Sequence, residues 1–235
     1  MRLCPKHKPG AYAAVMALVA VAALLLLRKP ELLNAYTYSD RIYDRNGQLL
    51  HLGLSLDDKY RIRVPLQEIP PAAREALLLY EDRWFYEHPG VNPASMLRAV
   101  WQMLTGGRRQ GASTLTMQVA RIVYHIDSSS VSGKLLQIVR ALQLEIFYSK
   151  DEILEAYFNL APYGGNIEGI AAAAQVWFNT PVSRLNLPQI LTLTVIPQNP
   201  VKRSPATPAG LKNAEAAAAR LKELWREKYP VSADD

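Results

Sequence analysis

The chain has 235 residues, 49% apolar and 20% charged, with a net charge of +6. That length suits one catalytic domain plus an appendage, and that balance excludes a disordered or fibrous chain. The basic surplus fits an anionic partner (nucleic acid, anionic lipid or a phosphorylated substrate) and equally fits a generally basic solvated surface.

Arg2, Lys6 and Lys8 precede an uncharged run from Ala11 to Leu27, which Arg28 and Lys29 close. Seventeen helical residues reach about 25 Å, near the lower limit for crossing a bilayer. The run exceeds the usual apolar region of a cleaved signal peptide, and no small-x-small cleavage site follows Leu27. The expectation is an uncleaved, single-pass signal anchor with the N-terminus inside and the body outside. A cleaved leader is the rival reading. The one cysteine, Cys4, excludes an intrachain disulfide and a cysteine metal site.

Ser39 to Leu50 reads as an extended pair around the turn Asp44-Arg45-Asn46-Gly47. Arg61 to Val64 reads as a further short strand, completing a small β element close to the membrane. After Pro70-Pro71 the period becomes helical, with Ala73, Ala76, Leu77 and Tyr80 on one face, and the helix runs toward Glu81. Asn92-Pro93 opens a second helix with the stripe Met96, Leu97, Val100, Trp101 and Leu104. A basic loop, Arg108 to Gly111, leads into a helix near Thr114, and Gly133 to Tyr148 is a long amphipathic helix. Ser149 to Glu152 fits a capping box, so a helix starts there and ends near Tyr163-Gly164-Gly165. Ile167 to Phe178 and Pro188 to Ile196 are further helices, and Thr207-Pro208 caps a last one reaching about Tyr229. The fold expected is mostly α, many short helices around one core.

Four places could carry chemistry. Glu81-Asp82 stands beside Trp84, Phe85 and His88, and a carboxylate in an aromatic setting can work as an acid or base; it can also be an acidic helix end. Arg108, Arg109 and Gly111 lead into Ser113-Thr114 at a helix start, which can hold a phosphate or be an ordinary capped helix. Gln118 and Arg121 share a helix face, and Lys134, Gln137 and Glu145 lie on the long helix; such residues are often solvated surface. Asn159 and Tyr163-Gly164-Gly165 close a helix, which is also what a plain C-terminal cap looks like. The four histidines form no metal-ligand cluster, and no phosphate loop, dinucleotide fingerprint or basic-aromatic nucleic-acid module is visible.

The ordered motifs resemble glycosyltransferase family 51, the peptidoglycan polymerases of class A penicillin-binding proteins and their monofunctional relatives. EDRWFYEHPG at 81–90 resembles the first motif, GASTLTMQVAR at 111–121 the second, and GKLLQ at 133–137 stands at the third. SKDEILEAYFNLAPYGG at 149–165 resembles the fourth and ILTLTVIPQNPVKRSP at 190–205 the fifth. The wording of the second motif, with Met117 and Arg121, looks most like the penicillin-binding protein 1C branch. The resemblance covers about 39–205.

It implies a lysozyme-like α domain that polymerises lipid II into β-1,4-linked glycan and releases undecaprenyl diphosphate. Glu81 matches the general base. Asp82, Phe85, His88, Ser113, Thr114, Gln118, Arg121, Lys134 and Gln137 match substrate-binding positions. No metal ligand is assigned; magnesium at the substrate diphosphate is the cofactor the family suggests. Lipid II, the nascent glycan strand, the membrane and other wall enzymes, including a separate transpeptidase, are the implied partners, with nucleic acid excluded. The implied place is the cytoplasmic (inner) membrane, with the catalytic domain on its periplasmic or extracellular side. The expected order is a cytoplasmic tail (1–10), anchor (11–27), linker (28–38), glycosyltransferase domain (39–205), and a C-terminal helix and tail (206–235) with no transpeptidase domain. Four positions depart from the pattern: Gln137 stands at the second family glutamate, Gly133 and Ser129 at usual arginines, and Ile122 at a common asparagine. Gln137, Gly133 and Ser129 keep open a non-catalytic lipid II-binding or scaffold protein, and the glutamate alone keeps open a wall-cleaving enzyme of lysozyme type.

Overall fold

A hairpin comes first in the body: β1 (Arg41–Tyr43) pairs antiparallel with β2 (Leu49–Leu52). Its turn forms at Asp44–Gly47 because the Asp44 carboxylate accepts the N–H groups of Asn46 and Gln48, at 2.8 and 2.7 Å, while Gly47 takes φ +78°. In this computed structural model the described residues are 16–17, 29–93 and 113–230. The expected anchor (all but Met16 and Ala17), the Met96–Leu104 helix and the Arg108–Gly111 loop lie outside them. No helix among the described residues is long and apolar enough to cross a membrane.

The expected third strand differs in two ways. β3 is only Tyr60–Arg61, and it pairs in parallel with β4 (Ile167–Glu168) rather than extending the hairpin. At Val64 a side chain replaces the neighbouring strand: Asn159 Oδ1 accepts the Val64 N–H, and Asn159 Nδ2 donates to the Val64 carbonyl, both at 2.8 Å. Asn159 is thus a backbone clamp, completely buried. Arg61 is buried too, and its guanidinium is matched by Glu168, Asp57 and the Thr37 carbonyl. Removing either carboxylate would leave a buried cation under-compensated.

Seven α-helices follow among the described residues: α1 (Pro71–Glu81), α2 (Leu115–Val123), α3 (Val131–Phe147), α4 (Lys150–Leu160), α5 (Ile170–Phe178), α6 (Leu187–Val195) and α7 (Pro208–Lys228). The mostly helical expectation holds. α1 buries Ala73, Ala76, Leu77 and Leu79 against α6, and α6 packs on α7, whose Ala214, Ala217 and Leu221 are inside. α7 therefore belongs to the packed unit that begins at Leu32. α4 is buried from Ile153 to Leu160 except at Glu155, and it runs against α2.

Two boundaries moved for physical reasons. The capping box at Ser149 and Glu152 forms, but α4 stops at Leu160, because Pro162 forces Ala161 to an extended ψ of 140°. The stretch read as one helix from Ile167 splits at Gly169, whose φ of +84° separates β4 from α5.

Candidate active site

α1 ends on Glu81, and the chain turns there. Six consecutive residues of α2, Leu115 to Ala120, are buried, so this helix carries two polar side chains, Thr116 and Gln118, into the interior. Gln118 Nε2 donates to Glu81 Oε2 at 2.9 Å. Glu81 Oε1 is buried and has no hydrogen-bond partner among the described residues. Burial raises the Glu81 carboxyl above the usual carboxylate range; the Gln118 bond and the charges of Arg203 and Arg121 pull the other way. A base with one oxygen held and the other without a hydrogen-bond partner can take a proton.

The aromatic setting is narrower than expected. Phe85 is buried, but Trp84 is 58% exposed, because it sits in the turns that follow the end of α1. Tyr157 of α4 feels the Glu81 charge: its ionisation is disfavoured first by burial and then by that charge. The Tyr157 hydroxyl is buried without a partner among the described residues.

Asp82 joins the two helices. Its carboxylate faces His88 Nε2, at 3.0 Å from both oxygens, and Oδ2 accepts the Leu115 N–H at 3.0 Å. A carboxylate on the first N–H of α2 satisfies an orphan donor and complements the helix dipole. Thr114 caps the same helix: its hydroxyl accepts from the Met117 N–H at 3.1 Å and donates to the Gly90 carbonyl. Gly90 is needed there, since its φ is +82° and a Cβ would lie 2.7 Å from Glu145 Cγ. Asp82, Phe85, His88 and Thr114 thus face protein partners.

The second cluster is cationic. Lys134 of α3 donates to Ser113 Oγ at 2.6 Å and to Gln137 Oε1 at 2.9 Å. Gln137 is buried and donates its Nε2 to the Met117 carbonyl at 2.6 Å. Burial lowers Lys134 below the usual lysine range, and the Arg121 charge lowers it further. Arg121 acts electrostatically on both Glu81 and Lys134, so it connects the two clusters. Lys134, Arg121 and Ser113 offer an anion two cations and a hydroxyl.

Lys150 cannot supply the charge that Ser129 omits. Its ammonium donates to Glu145 Oε1 at 2.8 Å and to the His88 carbonyl at 2.6 Å, above the Phe85 ring. Glu145 also accepts from Thr116, so it braces three helices. Ser129 is exposed, and its N–H bonds Asp127 Oδ1 at 3.0 Å.

The sequence reading missed Arg203. Its Nη1 bonds the Tyr80 hydroxyl at 3.0 Å and the Val195 carbonyl at 2.6 Å, and Tyr80 donates to Gln198 at 2.9 Å. The only signal was its place inside the fifth motif, which does not say that it reaches back to the end of α1.

A family model described as Transglycosylase matches residues 46–227. Penicillin-binding protein 1C of Escherichia coli is 46% identical over 150 residues, 63% of this chain and 19% of that protein. Penicillin-binding protein 4 of Bacillus subtilis is 37% identical over 186 residues, 79% of this chain and 29% of that protein. Penicillin-binding protein 1F of Bacillus subtilis is 35% identical over 199 residues, 82% and 27% respectively. The chain therefore spans less than a third of the length of these relatives. A crystal structure of penicillin-binding protein 1A from Haemophilus influenzae aligns with a TM-score of 0.43 and 18% identity over 84% of this chain and 19% of that one, a likeness too distant to argue from.

Proposed function

The chain belongs to the transglycosylase family, and from that premise we propose that it is a peptidoglycan glycosyltransferase, which polymerises lipid II into β-1,4-linked glycan and releases undecaprenyl diphosphate. The observation that carries this reading is Glu81, with Oε2 held by Gln118 and Oε1 buried without a hydrogen-bond partner among the described residues. In the proposed reaction the 4-hydroxyl of the acceptor sugar gives its proton to Glu81. Its oxygen attacks the anomeric carbon of the donor with inversion, and the bond from that carbon to the diphosphate oxygen breaks. The leaving diphosphate takes the electron pair, and Lys134 and Arg121 stabilise the negative charge it gains.

Gln118 is the positioning residue for the base, and Ser113 and Gln137 hold the Lys134 ammonium where the leaving group would be. Asp82, His88, Thr114 and Phe85 keep α1 and α2 together beneath the site. Among the described residues, the side chains that bond Lys134 or act on its charge (Ser113, Gln137 and Arg121) are cationic or neutral, a set suited to an anion and not to a protein-held divalent cation. Any magnesium would be carried by the diphosphate oxygens. The same proposal has the run 11–27 anchor the body on the outer side of the cytoplasmic membrane, working with other wall enzymes, among them a separate transpeptidase.

Incubating the purified, detergent-solubilised chain with labelled lipid II tests the proposal. Glycan strands of several disaccharides are expected. Lipid II bound but never polymerised would replace the enzyme by a binding protein, and digestion of purified wall without polymerisation would replace it by a hydrolase.

A further inference from the structure

The β1–β2 hairpin, the segment Ile62–Glu68 and the chain around the end of α5 enclose a groove of about 590 Å3, within the range of small-molecule and saccharide sites. None of the residues assigned above to the active site lines it. Three arginines from three different elements do: Arg41 of β1, Arg63 just after β3, and Arg184 in the turn after α5. One carboxylate, Glu68, stands against them. Among the described residues none of the three arginines has an ion pair. Among those residues Arg63 donates to Asn34 Oδ1 at 3.1 Å and lies 5.9 Å from the Tyr38 ring centre, and Arg41 lies 5.9 Å from the Tyr43 ring centre. Guanidiniums gathered around one concavity with so little counter-charge attract an anion.

The remaining lining narrows the choice. Gln175 and Asn179 present side-chain amides, tied to each other at 3.0 Å, and Tyr43 presents a half-exposed ring. Amides suit sugar hydroxyls, a tyrosine face suits a pyranose ring, and guanidiniums suit carboxylates in bidentate pairs. A nucleic acid would call for several stacking aromatics, and only Tyr43 is present. One helix leads from the groove toward the reaction site. Val64 in its lining is clamped by Asn159 of α4, and the same helix carries Tyr157, whose ionisation the Glu81 charge disfavours.

We propose that the groove between the β1–β2 hairpin and the end of α5 is a glycan exosite, in which Arg41, Arg63 and Arg184 bind the carboxylates of a peptide-bearing sugar strand. This rests on the polymerase reading and adds to it a place where product is held. Growing strand kept in the groove stays near Glu81 between additions.

The test uses the full chain and a purified, uncrosslinked glycan strand with intact stem peptides, labelled at one end. The same strand with its carboxylates amidated, and vesicles of anionic phospholipid, serve as comparison probes. The expected result is that the parent chain binds the native strand at least tenfold more tightly than the amidated strand. R41Q/R63Q/R184Q should lose that preference, make shorter products from lipid II and keep the initial rate of disaccharide addition. Equal affinity for both strands, an unaffected triple variant, or a triple variant defective only toward vesicles would overturn the exosite. A parent chain that binds strand but polymerises nothing would remove the polymerase reading and leave the groove standing.

Discussion

The amide oxygen of Gln137 accepts from the Lys134 ammonium at 2.9 Å, while the amide nitrogen of Gln137 donates to the Met117 carbonyl at 2.6 Å. Only a side chain that both accepts and donates satisfies this pair of neighbours. A carboxylate at 137 would face the Met117 carbonyl with a second acceptor and would neutralise the lysine that the diphosphate needs. Q137E is therefore expected to weaken lipid II binding by about tenfold, the size of one charge-assisted contact. Equilibrium binding measured in an E81Q background separates this from any effect on turnover. Unchanged or tighter binding would show that Lys134 does not need a neutral partner.

Glu81 illustrates a conflict between stability and activity. Its folded pKa is raised by burial, so the folded state holds this proton more tightly than the unfolded chain does. The stability from this group is present below the unfolded carboxylate pKa and is lost as pH rises through the raised folded one. E81Q removes the ionisation and should leave the melting temperature at pH 7 equal or higher, while polymerisation falls by about 10²–10⁴. Calorimetry of the two proteins at pH 7 checks the first half. A lowered melting temperature would mean that the ionised carboxylate supports the fold.

The same shift sets the pH dependence of the reaction. A base must be ionised, so the acid limb of kcat/KM should lie above the ordinary carboxylate range. An acid limb at or below that range would mean that Glu81 is not the titrating base.

Gly133 stands where the resemblance expects arginine, and the structure gives the reason. A Cβ at 133 would lie 1.8 Å from the Asp127 carbonyl oxygen. Alanine is the better helix former by about 1 kcal/mol, yet G133A should destabilise the protein, by about 1–3 kcal/mol from overpacking. G133R should cost no less. Denaturant titration of both variants measures it, and a stabilised G133A would contradict the close approach.

Asp82 is expected to matter to the fold before it matters to substrate. D82A leaves the Leu115 N–H and the buried His88 ring without their acceptor, a loss of about 1–3 kcal/mol. Urea unfolding should show it, with D82N intermediate. An unchanged midpoint for D82A would remove the link between α1 and α2.

Local chemistry was legible in the sequence wherever it acts within a few residues. The Ser149–Glu152 box, the Asp44–Gly47 turn and the proline-led starts of α1 and α7 all formed. The motifs had singled out Glu81, Gln118, Lys134 and Ser113, but no local pattern says that Glu81 meets Gln118 or that Lys134 meets Ser113 across 37 and 21 residues. What stayed hidden depends on distant partners. β4 is two residues long and exists because Tyr60–Arg61 lies alongside it. Asn159 looked like a helix end and is a clamp on Val64. Arg203 reaches Tyr80 from the far end of the chain. No periodicity or cap reports such contacts.

The measurement that tests the central claim most directly is polymerisation of labelled lipid II by the parent chain and by E81Q, each shown to bind lipid II and to be folded. The account predicts glycan strands from the parent and essentially none from E81Q. Equal product from both would contradict it, and the base would have to be sought elsewhere.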